Sequence, residues 1–217
     1  MNLAGKKILF LGDSITEGVG VFPKEFRFTD VFQRISGAEV FNYGISGTRI
    51  ARQITPTVAN PRFDLCFLDR VEQMNSEADI VVVFGGTNDY GHGDAGLGSP
   101  TDTGEYSFYG AMHSLIKRIV TRYPEAVIVF MTPLHRLGET STKRADGTCR
   151  TSLKQYVDAQ REVCEYYSIP VLDLYSLSGL QPEIPIIREK FMPDGLHPSN
   201  AGAKIIAERL YGFLSAF

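Results

Sequence analysis

Four short segments, far apart in the chain, hold the residue types that acyl transfer requires: Gly12-Asp13-Ser14, Asn42 to Gly47, Gly85 to Asp89 and Asp194-Gly195-Leu196-His197. A serine hydroxyl is a poor nucleophile until a base takes its proton, and an imidazole does this best near neutral pH. Ser14 and His197 are the candidates for those roles. Asp194 lies three residues before His197 in a turn-prone segment. It can accept a hydrogen bond from the imidazole Nδ1 and leave Nε2 facing the serine. The tetrahedral intermediate then places negative charge on the former carbonyl oxygen, which needs donors already in position. Asn88 can offer its side-chain NH2, while Gly47 and Ser14 can offer backbone N–H groups where a bulky side chain would obstruct approach.

These residues must be brought together by the elements between them. Apolar runs at Lys7 to Leu11, Glu39 to Tyr43, Ile80 to Phe84, Val127 to Met131 and Pro170 to Leu174 do not alternate with polar residues. Such runs predict strands buried on both faces, as in a parallel sheet. Helical spacing occupies Thr29 to Ile35, Phe63 to Met74, Phe108 to Tyr123, Leu153 to Tyr167 and Asn200 to Leu214. Ser152 is a candidate cap, and Pro198 a candidate for the first turn of the last helix. Strand alternating with helix predicts a doubly wound three-layer α/β/α fold with right-handed crossovers. Open sheets of this kind bind ligands outside the carboxyl ends of their strands, and that is where the four segments fall. Two longer segments are expected to form functional loops: Gly91 to Ser107, and His135 to Arg150 with its Arg136, Lys143, Arg144 and Arg150.

The combination resembles the SGNH hydrolase superfamily, the GDSL-like lipases and acylhydrolases, over nearly the whole chain. Gly12-Asp13-Ser14-Ile15 stands where the family has Gly-Asp-Ser-Leu. The resemblance implies that Ser14 is the nucleophile, that Gly47 and Asn88 complete an oxyanion hole with Ser14, and that Asp194 and His197 supply the rest of a triad. It also implies a flavodoxin-like five-stranded sheet in the order 2-1-3-4-5 and no cofactor.

Asp13, Tyr90, His92 and His135 are further candidates for the substrate pocket. Asp13 is expected to bond backbone N–H groups of the turn that aims Ser14. His92 and His135 sit in loops after the third and fourth strands, whereas His113 lies in a helical stretch. Tyr90, Tyr106, Phe108 and Tyr109 flank the first long loop, as core residues or as an aromatic wall.

With 217 residues, 43% of them hydrophobic, the chain is expected to fold as a single domain, 1–217. A net charge of −3 gives no footprint for nucleic acid or an anionic membrane surface. Cys66, Cys149 and Cys164 form no C-x-x-C pair, so neither a disulfide framework nor a metal site is expected. The expected setting is the cytoplasm and the expected partner a small-molecule ester, with homo-oligomer formation left open. The polar, glycine-rich loops favour short acyl groups, such as acetyl groups on a carbohydrate, over the long chains of a lipase or lysophospholipase; thioesters are open to the same chemistry. The competing class is a noncatalytic flavodoxin-like module that binds phosphate or flavin, against which Asp13 would set a repelling charge.

Overall fold

In the computed structural model, which describes residues 1–143, 147 and 149–217, five parallel strands form one sheet in the order 2-1-3-4-5. They are β1 (Lys7–Gly12), β2 (Glu39–Gly44), β3 (Ile80–Phe84), β4 (Val127–Met131) and β5 (Val171–Leu172). The central strands β1 and β3 pair in register from Ile8 with Ile80 to Gly12 with Phe84. Their unbroken apolar runs follow from burial on both faces. Leu9, Leu11, Val81 and Val83 point into one core, and Ile8, Phe10, Ile80 and Val82 into the other. The first core is filled by α3 (Phe67–Arg70), α5 (Phe108–Arg122) and α6 (Leu153–Tyr166), the second by α2 (Phe28–Ser36) and α9 (Asn200–Ser215). Phe10 meets Phe28 and Phe32 edge-on at ring separations of 5.6 and 5.7 Å, which fixes α2 against the sheet.

Chain order runs from β1 outward to β2 and returns to β3 on the opposite side of β1, so the topological switch lies between the carboxyl ends of β1 and β3. Short helices start there: α1 (Ser14–Glu17) just after β1 and α4 (Thr87–His92) just after β3.

Several boundaries differ from the sequence expectation. The helix expected over Phe63 to Met74 is broken into a 3-10 turn at Pro61–Asp64, α3, and a second 3-10 turn at Val71–Gln73. The break at Leu65 and Cys66 has a cause: the Asp64 carboxylate is engaged by Thr57 N and Arg49, which holds the chain off a continuous helix. The fifth strand keeps only two residues because Asp173 caps α7 (Leu174–Leu177) and accepts from Thr132 Oγ1. Pro198 falls before the last helix, whose cap is Ser199. Ser152 does cap α6, its backbone N–H donating to Gln155 Oε1 at 3.0 Å. The helix α8 (Pro185–Phe191) was not expected, since its seven residues bury no side chain and show no apolar stripe. In the second long segment Arg144 lies outside the described residues. Among the described residues, no helix is long and apolar enough to cross a membrane.

Candidate active site

The strand β1 delivers Asp13 and Ser14 to the switch point. Asp13 caps α1 by accepting from Ile15 N at 3.0 Å, and this bond sets the turn that carries Ser14. Ser14 Oγ stands 3.0 Å from His197 Nε2, and His197 Nδ1 stands 2.6 Å from Asp194 Oδ2. The second carboxylate oxygen of Asp194 accepts from Leu196 N and His197 N at 2.9 and 2.7 Å, so the turn locks aspartate and imidazole into one local unit. Burial alone would raise the Asp194 pKa. The bonds from His197 and Leu196 outweigh it and hold this carboxyl below its ordinary range. With an anionic acceptor on Nδ1, the imidazole carries its proton there, and Nε2 is left to accept from the serine hydroxyl.

The loop after β2 is tied to both sides of this unit. Ile45 N donates to Gly12 O at 3.1 Å, and Asn88 Nδ2 donates to Thr48 O at 3.0 Å. Gly47 lies between these ties with φ of +78°, and a Cβ there would fall 2.1 Å from the Phe63 ring. Only glycine fits that position. Among the described residues, neither Ser14 N nor Gly47 N has a hydrogen-bond acceptor, and the Thr48 bond uses one of the two Asn88 amide hydrogens. Three donors are thus unspent: Ser14 N, Gly47 N and one Asn88 amide hydrogen.

Two buried ionisable residues that sequence reasoning passed over hold this loop. The Arg70 guanidinium donates to Gly12 O, Tyr43 O, Leu65 O and Thr48 Oγ1, tying β1, β2 and the Gly47 loop to α3. Burial pushes its pKa down to about 10, so the group keeps its charge at neutral pH. The Asp89 carboxylate accepts from Ile50 N and Ala51 N at 3.0 and 2.9 Å, and burial pushes its pKa up to about 6. The available signal for Arg70 was a cation beside Asp69, flanked on both sides by the apolar residues Phe67, Leu68 and Val71.

Asp13, named as a pocket residue, is instead 1% exposed beneath Ser14. Burial raises its pKa from 3.8 to about 7, with the Ile15 bond and Arg70 opposing. Because the folded value exceeds the unfolded one, this group favours folding at low pH, and its contribution is lost as pH rises toward 7. Asp13→Asn keeps an acceptor for Ile15 N without a titratable charge. Its stability relative to the unaltered protein is expected to rise by about 2 kcal/mol between pH 5 and pH 8. Urea midpoints at the two pH values test this, and a constant difference would contradict it.

The remaining candidates divide. Tyr90 does not face an opening: it is fully buried against Tyr156, and its hydroxyl donates to Gly138 O at 2.5 Å. It follows Asp89 on α4, and the helix turns it inward. Phe108 and Tyr109 are likewise core residues, whereas Tyr106 is exposed. His92 keeps an exposed face and lies beside Phe63, the residue that covers Gly47, at a ring separation of 5.2 Å. Crowding around the rest of its ring, followed by the charges of Arg49 and Arg136, lowers its pKa to about 4. His135 is turned to Glu139 at 2.7 Å and stacks on Tyr175 at 3.8 Å, so it braces a turn. His113 sits in the first half of α5, turned to Tyr167 and to Pro100 O. Among the described residues, no group of three or more His, Cys, Asp or Glu side chains is placed to hold a metal ion.

A parallel 2-1-3-4-5 sheet with a serine, a histidine and an aspartate in hydrogen-bonded sequence at its switch point defines an ester-bond hydrolase of the SGNH fold. The chain belongs to the GDSL-like lipase/acylhydrolase family, whose model matches residues 10–205. One solved structure is 36% identical with a TM-score of 0.86, the match covering 100% of this chain and 99% of that one. A protein from Lactobacillus plantarum is 30% identical with a TM-score of 0.82, and the match covers 98% of each chain. The native aryl esterase of M. smegmatis shares the fold at a TM-score of 0.70 and 18% identity, over 98% of this chain and 99% of its own. No curated protein matches the chain.

Proposed function

We propose that the chain is a serine esterase that cleaves carboxylic esters through an acyl-serine intermediate. The observation that carries this reading is the run from Asp194 through His197 to Ser14, at 2.6 and 3.0 Å. Ser14 Oγ attacks the ester carbonyl while its proton passes to His197 Nε2. Asp194 holds the ring and stabilises the imidazolium. The carbonyl oxygen takes the negative charge and is met by Ser14 N, Gly47 N and the free Asn88 amide hydrogen. Collapse of the tetrahedral intermediate breaks the carbon–oxygen bond to the alcohol, which leaves with the proton from Nε2. Water, deprotonated by the same nitrogen, then releases the acid.

The preferred acyl group is short, such as acetyl on a carbohydrate. Supporting this, the loop from Gly91 to Ser107 is rich in Gly, Asp, Ser and Thr and supplies no extended apolar cover for a long chain. Purified protein is expected to hydrolyse p-nitrophenyl acetate, with kcat/KM falling across butyrate, octanoate and palmitate. A profile rising toward palmitate would replace this reading with that of a long-chain lipase.

A further inference from the structure

The turn Pro133 to Glu139 bridges the two halves of the site. At one end Pro133 stands over Gly86, ahead of Asn88, where a Cβ would fall 3.4 Å from the proline ring. At the other, Leu137 N donates to Gly195 O at 2.8 Å, inside the turn that carries Asp194 and His197. Between them, Arg136 Nη1 donates to Thr87 O and Thr87 Oγ1 at 3.1 and 3.2 Å. Glu139 fixes this turn, accepting from Arg136 N at 3.0 Å and lying 2.7 Å from His135 Nδ1. Arg136 is therefore placed on a braced wall between Asn88 and the Asp194 turn.

Its charge is met by neutral groups, the two Thr87 oxygens and the Tyr90 ring at 5.5 Å. Arg49 has Asp64 at 2.6 Å, and Arg150 donates to Tyr90 O and Gly91 O at the end of α4. The Arg136 guanidinium has no carboxylate within bonding distance among the described residues, and its buried Nε, like that of Arg49, has no partner. A guanidinium stays protonated throughout the physiological range, and a buried donor without an acceptor is uncommon. The carboxylates whose charges act on it are committed elsewhere, Asp13 to Ile15 N and Asp194 to Leu196 N and His197. The residue as a whole remains partly exposed, although Nε itself is covered.

We propose that Arg136 receives a carboxylate carried by the substrate, so that the esters this site prefers are anionic. The inference rests on Ser14, His197 and Asp194 being the reacting unit, and it narrows the substrate class of that unit. A guanidinium presents paired donors in the geometry that a carboxylate accepts, and a charge-assisted contact at a site wall discriminates by about ten- to a hundredfold. The anion could belong to the acid or to the alcohol portion, and the two sources are separable. On the acyl side, mono-p-nitrophenyl glutarate is compared with p-nitrophenyl pentanoate. On the alcohol side, 4-acetoxybenzoate is compared with its methyl ester. In each pair the ratio of kcat/KM, anionic over neutral, is measured on one preparation after subtraction of the uncatalysed rate, so that any loss of folded enzyme cancels.

The expected result is a ratio well above one in one arm, falling at least tenfold in Arg136→Gln and only partly in Arg136→Lys. The arm that responds identifies which portion of the substrate bears the charge. A ratio below one in both arms, or one that Arg136→Gln leaves unchanged, overturns the proposal. The same four esters are run with Ser14→Ala. Full retention of activity there would overturn the reading of the reacting unit, whereas loss of all four rates leaves that reading standing whatever the ratios show.

Discussion

Ser14→Ala is expected to lower kcat for p-nitrophenyl acetate by about 10⁴-fold or more, to a residue of activity set by the oxyanion donors and by binding alone. The size of the loss follows from the order of the bonds. Removing Oγ takes away the proposed nucleophile, and His197 Nε2, 3.0 Å away, is left with no hydroxyl beside it. Stability is expected to change little. The serine is 3% exposed, but His197 is the only hydrogen-bond partner of its hydroxyl among the described residues, so alanine removes one polar atom and opens no large cavity. A urea midpoint close to that of the unaltered protein, beside a kcat reduced by four orders of magnitude, is the expected pair of results. A variant that retains substantial turnover would require another nucleophile.

Asn88→Ala is expected to lower kcat by about 10²- to 10³-fold with KM little changed, since in the proposed mechanism the lost donor serves charge that develops only in the transition state. Asn88 also donates to Thr48 O, so its loss frees the Gly47 loop on that side. The loop keeps its other restraints, from Asp89 to Ile50 N and Ala51 N and from Arg70 to Thr48 Oγ1. The variant is therefore expected to fold. A rise in KM of the same size, with kcat unchanged, would instead make Asn88 a ground-state binding residue.

Much of this arrangement was legible before any coordinates. Strands buried on both faces leave unbroken apolar runs, and residues that follow such strands must meet at one sheet edge. Ser14, Gly47, Asn88, Asp194 and His197 could be grouped on that ground. What escaped notice depends on side-chain direction and on pairing across the fold. Tyr90 reads as a loop aromatic until the start of α4 at Thr87 turns it into the core. His135 reads as a free imidazole until Glu139, four residues on, takes it up. Arg70 gives no periodic signal, because its partners are three carbonyls and a hydroxyl contributed by separate strands and loops. The segment from Phe63 to Met74 has helical spacing throughout, yet the tertiary demand of Arg49 on Asp64 overrides local preference.

The last helix bears on when this enzyme can work at all. His197 and Asp194 form their bond within a single turn, but the bond from His197 to Ser14 closes a separation of 183 residues. The same turn runs straight into α9 through its Ser199 cap, and α9 rests on α2 and the sheet. Any excursion that lifts α9 carries base and orienter away together while β1 and the serine stay behind. Turnover therefore requires α9 to stay docked, and heat is expected to silence the enzyme while most of its secondary structure is still intact.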